Sequence, residues 1–335
     1  MMAAMQTLSR IDLPAEPLVD VENLSVTFRR DGRAIPVVRD LSFSLEAGKV
    51  LSIIGESGSG KSVTLRAVMR LLGESAQLQG RVNLAGHDML ALPERKLSEL
   101  RGALVAMIFQ EPMTAFDPVY TIGQQIGETL RRHKGMDARA ARARAKELLD
   151  LVQIPRAEMR LDAYPHELSG GLRQRAMIAL ALSCRPALLL ADEPTTALDA
   201  TVQIQILLLL RSLQRELGMT MIFVTHDLSV AAEIADNVAV MYAGRFVETG
   251  PVSDLLRRPR HPYTVGLMAS SVGDKPPGAH LNAIPGQPPD PASALPGCSF
   301  APRCALASEA CLARLPPELW ITPQHAVCCI RAIPS

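Results

Sequence analysis

The chain alternates between short apolar runs and longer stretches with one apolar face, a pattern typical of an α/β protein. Four runs are too short and too evenly apolar for surface helices, so they predict strands of a parallel sheet buried on both faces. They are residues 104–109, 187–191, 221–224 and 238–242. Between the runs, helical periodicity is clearest over residues 137–151 and 201–217.

Three regions with other patterns flank or interrupt this core. Residues 19–28 and 41–45 alternate in polarity around a turn at Asp31, which predicts an antiparallel β subdomain. Residues from about 110 to 182 are almost entirely helical in pattern and predict an inserted helical subdomain. Beyond about residue 256 prolines and cysteines accumulate, as in a loop-rich extension. The predicted organisation is an N-terminal tail (1–18), a core domain (19–258) and a C-terminal extension (259–335).

Composition and charge narrow the class of protein. The 335 residues carry a formal net charge of +1, which gives no basic surface for nucleic acid. Hydrophobic residues make up 48%, enough for a soluble globular protein of two or three domains. No apolar run reaches the roughly 18 residues that a spanning helix needs, and residues 1–14 lack the apolar segment of a secretory signal. We therefore expect a cytoplasmic chain that meets any membrane only through other subunits.

Residues 55–62, GESGSGKS, match the phosphate-binding pattern GxxxxGK[ST]. An apolar run over residues 49–54 precedes them and a helical pattern over residues 62–72 follows, which is the strand–loop–helix context that the motif requires. The glycines let backbone N–H groups point at phosphates, Lys61 reaches the β- and γ-phosphates, and the Ser62 hydroxyl ligates Mg²⁺. A plain glycine-rich loop before a helix is the alternative. The predicted nucleotide contacts are Gly55, Glu56, Ser57, Gly58, Ser59, Gly60, Lys61, Ser62 and Val63.

Acidic, amide and imidazole side chains follow the predicted strands. Asp192 and Glu193 end one run, where the first can hold Mg²⁺ and the second can polarise an attacking water. His226 ends the next run and can bind the γ-phosphate or position that water. Gln110 follows the run at 104–109, can ligate Mg²⁺ or the water, and begins the helical insert. An apolar run before Asp-Glu is usually only a strand before a turn, so these roles depend on the nearby phosphate loop.

A second glycine-rich helix start lies at Ser169, Gly170 and Gly171, before a helical pattern over residues 172–182. Ser169 can cap this helix, and the free N–H groups at its start form an anion site. An ordinary helix cap is the alternative. Two anion-binding helix starts in one chain favour a two-site arrangement, in which a second protomer brings its Ser169 loop onto the γ-phosphate that the first protomer holds.

Together these residues resemble the ATPases of ABC transporters over about residues 19–258. Residues 55–62 resemble the Walker A motif, 188–193 the Walker B motif and 168–174 (LSGGLRQ) the ABC signature. Gln110 resembles the Q-loop, Ala197, Leu198 and Asp199 the D-loop, and His226 the H-loop. The resemblance implies a P-loop NTPase fold, hydrolysis of ATP with Mg²⁺, and ATP held between two subunits. It also implies an aromatic residue against adenine, for which Phe28 is the candidate and Arg30 the alternative.

The C-terminal extension narrows the family. Residues 261–264 (HPYT) and 297–304 (GCxFxxRC) resemble ATP-binding subunits of dipeptide and oligopeptide importers, a pattern that nickel importers largely share. This resemblance implies a second ATPase subunit (a paralogue), two transmembrane permease subunits and, indirectly, an extracytoplasmic substrate-binding protein. It implies a peripheral location on the cytoplasmic face of the inner membrane, with no nucleic acid partner.

Two rivals of other classes explain the pattern less well. A soluble ABC ATPase of DNA repair or translation would carry a very long coiled-coil insert or a second cassette, and this chain has neither. A P-loop kinase would leave the LSGG segment and His226 without a role.

Five of the six cysteines lie in the extension. In a reducing compartment such clustering indicates metal or redox chemistry before disulfides. The wide spacing of Cys298, Cys304, Cys311 and Cys329 fits an iron–sulfur cluster better than zinc, with Cys328 as an alternative to Cys329. The resemblance also implies a four-iron cluster; zinc and plain buried thiols are the alternatives. We expect a structural role, since these cysteines lie outside the nucleotide motifs and a cluster can stabilise a segment that has little core of its own.

Overall fold

The computed structural model describes residues 17–196, 198–270, 284–293 and 295–332. Its contacts divide the chain into two compact units. The predicted N-terminal tail lies outside the described residues except for Pro17 and Leu18, as does Ala197. The first unit comprises Met1–Leu18, Glu46–Lys49 and Ala91–Ile222, and the second comprises Val19–Leu45, Val50–Leu90 and Phe223–Ser335.

Strands and helices alternate along most of the chain. The strands are β1 (Val19–Arg30), β2 (Arg33–Leu45), β3 (Val50–Ile54), β4 (Ala76–Leu84), β5 (His87–Asp88), β6 (Val105–Ile108), β7 (Leu188–Asp192), β8 (Thr220–Thr225), β9 (Asn237–Tyr242), β10 (Arg245–Pro251), β11 (Leu319–Thr322) and β12 (His325–Val327). The helices are α1 (Lys61–Val68), α2 (Glu94–Leu100), α3 (Ile122–Lys134), α4 (Ala138–Leu151), α5 (Ala157–Arg160), α6 (Gly170–Leu182), α7 (Ala200–Leu217), α8 (Leu228–Ile234), α9 (Val252–Arg257), α10 (Pro262–Ser270) and α11 (Glu309–Ala313). Among the described helices, none has both the length and the apolar composition that crossing a bilayer requires.

The first unit joins two parallel strands to a group of helices. β6 and β7 are parallel, and both are fully buried. Helices α3, α4 and α6 pack against one another beside them. Side chains fix where these helices begin: Thr121 forms a capping box with Gln124, and Asp137 accepts from the backbone N–H of Ala140. These caps satisfy N–H groups that have no partner inside the helix.

The second unit contains two kinds of strand pairing. One sheet is antiparallel in the order β2-β1-β4-β5. Elsewhere β3 runs parallel to β9, and β9, β10, β12 and β11 continue as antiparallel neighbours. The C-terminal extension thus contributes β12 and β11 as strands beside β10.

The predicted mixed α/β fold with an antiparallel subdomain is confirmed. All four apolar runs are strands, within one or two residues at each end. Helix α1 is shorter than its pattern suggested: it ends at Val68, and Arg70 takes a left-handed backbone conformation (φ 51°). The periodicity did not indicate β4 or β10, because polar residues and glycines interrupt both. The domain boundaries stay predictions.

A buried carboxylate attaches the C-terminal extension to β10. Glu248 is 1% exposed and accepts three hydrogen bonds. Its donors are the backbone N–H groups of Arg260 (2.8 Å) and His261 (2.9 Å) and, within 2.8 Å, Nε2 of His325 in β12. One side chain therefore binds the start of the extension and one of its last strands.

We expect Glu248→Ala to lower the free energy of unfolding by about 3 kcal/mol, because it leaves several buried donors without an acceptor. Chemical denaturation measures this loss. Glu233→Ala, the same change at an exposed position on α8, is the control and should change stability by less than about 0.5 kcal/mol. Equal stability of the two variants would contradict the anchoring role of Glu248.

Candidate nucleotide site and cysteine cluster

The phosphate loop lies in the second unit, between the fully buried strand β3 and helix α1. Lys61 begins the helix and is only 4% exposed. Its Nζ donates to the carbonyl oxygens of Gly55 (2.8 Å) and Glu56 (2.9 Å). The loop therefore curls around the ammonium group, at the place where the motif positions the β- and γ-phosphates. The hydroxyl of Ser59 is buried and has no hydrogen-bond partner, so it is available to a ligand of the loop.

Glycine is required at two positions of this loop. Gly60 has a φ of 106°, and a Cβ there would lie 2.9 Å from the carbonyl oxygen of Val37. A Cβ on Gly55 would lie 2.2 Å from the carbonyl oxygen of Met241. Both obstacles are backbone atoms, which cannot rotate away, so a side chain would displace the loop. Of the remaining predicted contacts, Ser57 and Gly58 are exposed in the loop, and Ser62 and Val63 are half-buried in the first turn of α1.

The acidic residues lie in the first unit at the carboxyl end of β7. Ile108 pairs with Ala191, so Gln110 and Asp192 follow neighbouring strands at the same edge. Asp192 is fully buried. Glu193 has a left-handed backbone (φ 44°), an uncommon conformation for a residue with a side chain. Its Oε2 accepts from the hydroxyl of Thr196 (2.9 Å), so both backbone and side chain of Glu193 are held in a defined position.

The signature segment also lies in the first unit. Ser169 caps α6, because its Oγ accepts from the N–H of Leu172 at 3.4 Å. Ser169 and Gly170 are exposed, whereas a Cβ on Gly171 would lie 2.8 Å from Cγ1 of Val202 in α7. Asp199 caps α7 by accepting from the N–H of Val202 (3.0 Å). The signature is therefore an exposed helix start whose glycine lets α6 approach α7.

Two predicted residues lie elsewhere in the second unit. His226 is exposed and follows β8 directly. Phe28 is half-buried in β1, opposite Ile35 of β2 and Ala76 of β4.

The cysteines of the extension converge in the second unit. Cys298, Cys304, Cys311 and Cys329 line one pocket, which His261 and Phe300 also line. Cys328 does not line it; its backbone N–H donates to Val247 of β10. Among the described residues, no three or more His, Cys, Asp or Glu side chains are arranged to hold a single metal ion.

The four thiols influence one another electrostatically. Burial raises the pKa of Cys298 and Cys304, and it raises the pKa of Cys329 to about 11. The raised pKa of Cys329 includes a contribution from the other three thiols, because a second thiolate nearby is unfavourable. Cys311 differs, since a hydrogen bond from Ser308 lowers its pKa.

Close packing requires a glycine at Gly297, the first position of the GCxFxxRC pattern in the extension. A Cβ on this residue would lie 2.2 Å from the carbonyl oxygen of Cys311 and 2.5 Å from that of Leu312. The N–H of Cys298 donates to the same Cys311 oxygen at 2.8 Å. Only glycine allows the two cysteine-bearing segments to approach so closely.

No motif spacing or periodicity indicated that the extension contacts the phosphate loop. Arg303 forms a bidentate ion pair with Glu56, and Tyr263 accepts a hydrogen bond from the N–H of Glu56. Both residues belong to the extension patterns HPYT and GCxFxxRC, which was the only available signal. The extension therefore contacts the phosphate loop through residues other than its cysteines.

Comparison with known proteins agrees with this geometry. Residues 38–196 match the ABC transporter family model, and residues 247–311 match the C-terminal region of oligopeptide and dipeptide transporters. A putative peptide import ATP-binding protein of Brucella abortus (strain 2308) is 51% identical, over 94% of this chain and 97% of its own. The oligopeptide transport ATP-binding protein OppD of Mycobacterium tuberculosis is 49% identical over 94% of this chain, which spans 52% of that relative.

Among solved structures, a dimeric ATP-binding cassette in a post-hydrolysis state, bound to ADP and Pi, superposes with a TM-score of 0.63. It is 28% identical and covers 70% of this chain and 98% of its own.

The phosphate loop, the buried Asp192 with Glu193 and the exposed signature helix define an ATPase of the ABC class. With the matching extension and relatives near 50% identity over almost the whole chain, the chain belongs to the ATP-binding proteins of peptide-importing ABC transporters. It is therefore an ATP-hydrolysing enzyme.

Proposed function

We propose that this chain hydrolyses ATP to drive the import of dipeptides or oligopeptides across the cytoplasmic membrane. The observation that carries the proposal is the presence, in one chain, of the ABC ATPase motifs and an extension of the oligopeptide and dipeptide transporter type. The chain acts at the cytoplasmic face of the membrane, beside two permease subunits and a second ATPase subunit of related sequence. A substrate-binding protein on the outer side delivers the peptide.

In this proposal each residue of the nucleotide site has a separate role. Lys61 and the N–H groups of the phosphate loop bind the β- and γ-phosphates. Ser62, Asp192 and Gln110 would hold Mg²⁺, which when bound would supply positive charge beside the transferred phosphoryl group. Phe28 lies against adenine. Glu193 accepts a proton from the attacking water, and His226 orients that water and the γ-phosphate.

The second ATPase subunit completes the site. Its counterparts of Ser169, Gly170 and Gly171 approach the γ-phosphate, and this chain contributes the same residues to the partner's ATP. The exposure of Ser169 and Gly170 supports this, because a helix start free on the surface is accessible to a ligand held by another subunit. Asp199, at the start of α7, lies close to the same interface. ATP binding then closes the pair, and closure drives the permeases to switch access.

We further propose that Cys298, Cys304, Cys311 and Cys329 hold a [4Fe–4S] cluster. Their convergence on one pocket supports this choice over Cys328.

His261 supplies a second observation that fits the group. It is 1% exposed and lines the same pocket. Its Nδ1 accepts from the N–H of Tyr263 (3.0 Å), so in the neutral ring Nε2 carries the proton. Nε2 is buried and has no hydrogen-bond partner. A buried donor at a pocket of thiols suits the sulfurs of a cluster, which accept such bonds. The bound group would tie together the segments that carry the four cysteines.

We expect Glu193→Gln to retain ATP binding and to lose hydrolysis by about a hundredfold or more, as removal of a general base requires. The assembled transporter is assayed for phosphate release, and cells are assayed for uptake of a labelled dipeptide, which should fall in parallel. Glu99→Gln, the same isosteric change on an exposed surface of α2, is the control. Hydrolysis at the wild-type rate would rule out Glu193 as the base; lost hydrolysis with undiminished uptake would rule out peptide import.

Ser169→Arg should leave ATP binding to the isolated chain nearly intact and prevent ATP-dependent pairing with the second ATPase. The reason is that the guanidinium fills the space that the partner's γ-phosphate needs. Equilibrium nucleotide binding measures the first effect, and sedimentation of the mixed subunits measures the second. The control is Ser212→Arg, the same change at an exposed position of α7. A parallel loss of ATP binding in the isolated chain would place Ser169 in the same site as Lys61.

Protein purified without oxygen should be brown and contain about four iron and four sulfide per chain, as the proposed cluster requires. Cys329→Ser should lose most of the iron, whereas Cys328→Ser should keep it, because only Cys329 lines the pocket. Elemental analysis and visible absorption distinguish these outcomes. A colourless protein with stoichiometric zinc would replace the cluster by zinc, and four readily alkylated thiols without metal would exclude both.

A further inference from the structure

The side chain of one arginine in the extension forms hydrogen bonds to the phosphate loop and to residues that lie beside it. The Arg303 side chain is 5% exposed, and its guanidinium pairs with the Glu56 carboxylate through Nη1 to Oε2 (2.7 Å) and Nη2 to Oε1 (3.0 Å). The guanidinium forms three further hydrogen bonds. Nε donates to the carbonyl of Pro285 (2.8 Å), Nη2 to that of Ile284 (3.3 Å) and Nη1 to the hydroxyl of Tyr242 (3.2 Å). A bidentate pair with so many further bonds has a defined geometry.

The extension also holds the backbone of the same loop residue. The N–H of Glu56 donates to the hydroxyl of Tyr263 at 2.9 Å. Tyr263 is fully buried, with its ring 4.6 Å from that of Tyr242 and 5.4 Å from that of Phe300. Two independent contacts from the extension therefore fix the second residue of the phosphate loop.

Glu56 brings a negative charge to a loop that must bind a triphosphate. Its carbonyl oxygen accepts from Nζ of Lys61, so the residue lies directly beside the ammonium group that serves the phosphates. An unpaired carboxylate here would repel the triphosphate and compete for Lys61. Hydrogen bonding to Glu56 raises the pKa of Arg303, so the arginine keeps its charge wherever the protein is folded.

We propose that Arg303 is a positioning residue for ATP binding, which neutralises Glu56 and holds the phosphate loop in its binding conformation. Nucleotide binding by this chain then requires a folded C-terminal extension. The proposal depends on ATP binding, which the family shares, and is independent of the proposed peptide substrate and of the cluster.

The test is equilibrium binding of MgATP to the isolated full-length chain. Arg303→Ala should weaken binding about tenfold, within the usual range of coupling between linked sites. In the double variant Arg303→Ala with Glu56→Gln, the affinity should lie within about threefold of that of Glu56→Gln alone, because Arg303 acts through the Glu56 carboxylate. Arg314→Ala, the same change at an exposed position of the extension, should leave affinity unchanged.

The double variant distinguishes neutralisation of the Glu56 charge from a role of Arg303 in fold stability alone. If Arg303 only stabilised the fold, Arg303→Ala would weaken ATP binding as much in the Glu56→Gln background as in the wild type, and that pattern overturns the proposal. Wild-type affinity in Arg303→Ala also overturns it. If Arg303→Ala proves unfolded by limited proteolysis, Arg303→Lys decides. It keeps the charge and loses the bidentate geometry, so binding should weaken about threefold in the wild-type background and by less in the Glu56→Gln background, where that geometry is already lost; no loss, or an equal loss in both backgrounds, would again overturn the proposal.

Discussion

The buried carboxylate of Glu248 is the interaction on which the arrangement of the second unit depends. It is nearly inaccessible to solvent and accepts hydrogen bonds from Arg260, His261 and His325. A buried carboxylate is tolerated only when its oxygens are satisfied, so the strand that carries it and the segments that donate to it must assemble together. This requirement fixes where the extension leaves the core and where its last strand returns.

The contacts between the extension and the phosphate loop depend on that attachment. The bond from the His261 N–H places the start of α10, and Tyr263 then reaches the loop from the first turn of this helix. Tyr242, Tyr263 and Phe300 pack with ring centres 4.6–5.4 Å apart, and Arg303 is the last residue of the helical turn that Phe300 precedes. Packed side chains thus connect the extension to the phosphate loop.

The sequence predicted those parts of the molecule that depend on local pattern. The strands β6 to β9 are continuous apolar runs, and the phosphate loop, the signature and the acidic strand end are short contiguous motifs. Strand β12 has only three residues, too few for any periodicity to be detected. The left-handed backbone of Glu193 leaves no trace in composition, because glutamate rarely adopts it. The pair of Glu56 with Arg303 joins residues 247 positions apart, and a single sequence contains no signal for such a contact.

The distance along the chain between Glu56 and its partners has a consequence for biosynthesis. The loop is made 207 residues before Tyr263 and 247 residues before Arg303. Contacts between residues so far apart form late, because the intervening chain must first be ordered. On the ribosome, the phosphate loop therefore stays without its arginine and tyrosine until almost the whole protein has emerged. A product of premature termination contains every nucleotide motif but lacks both contacts that hold Glu56.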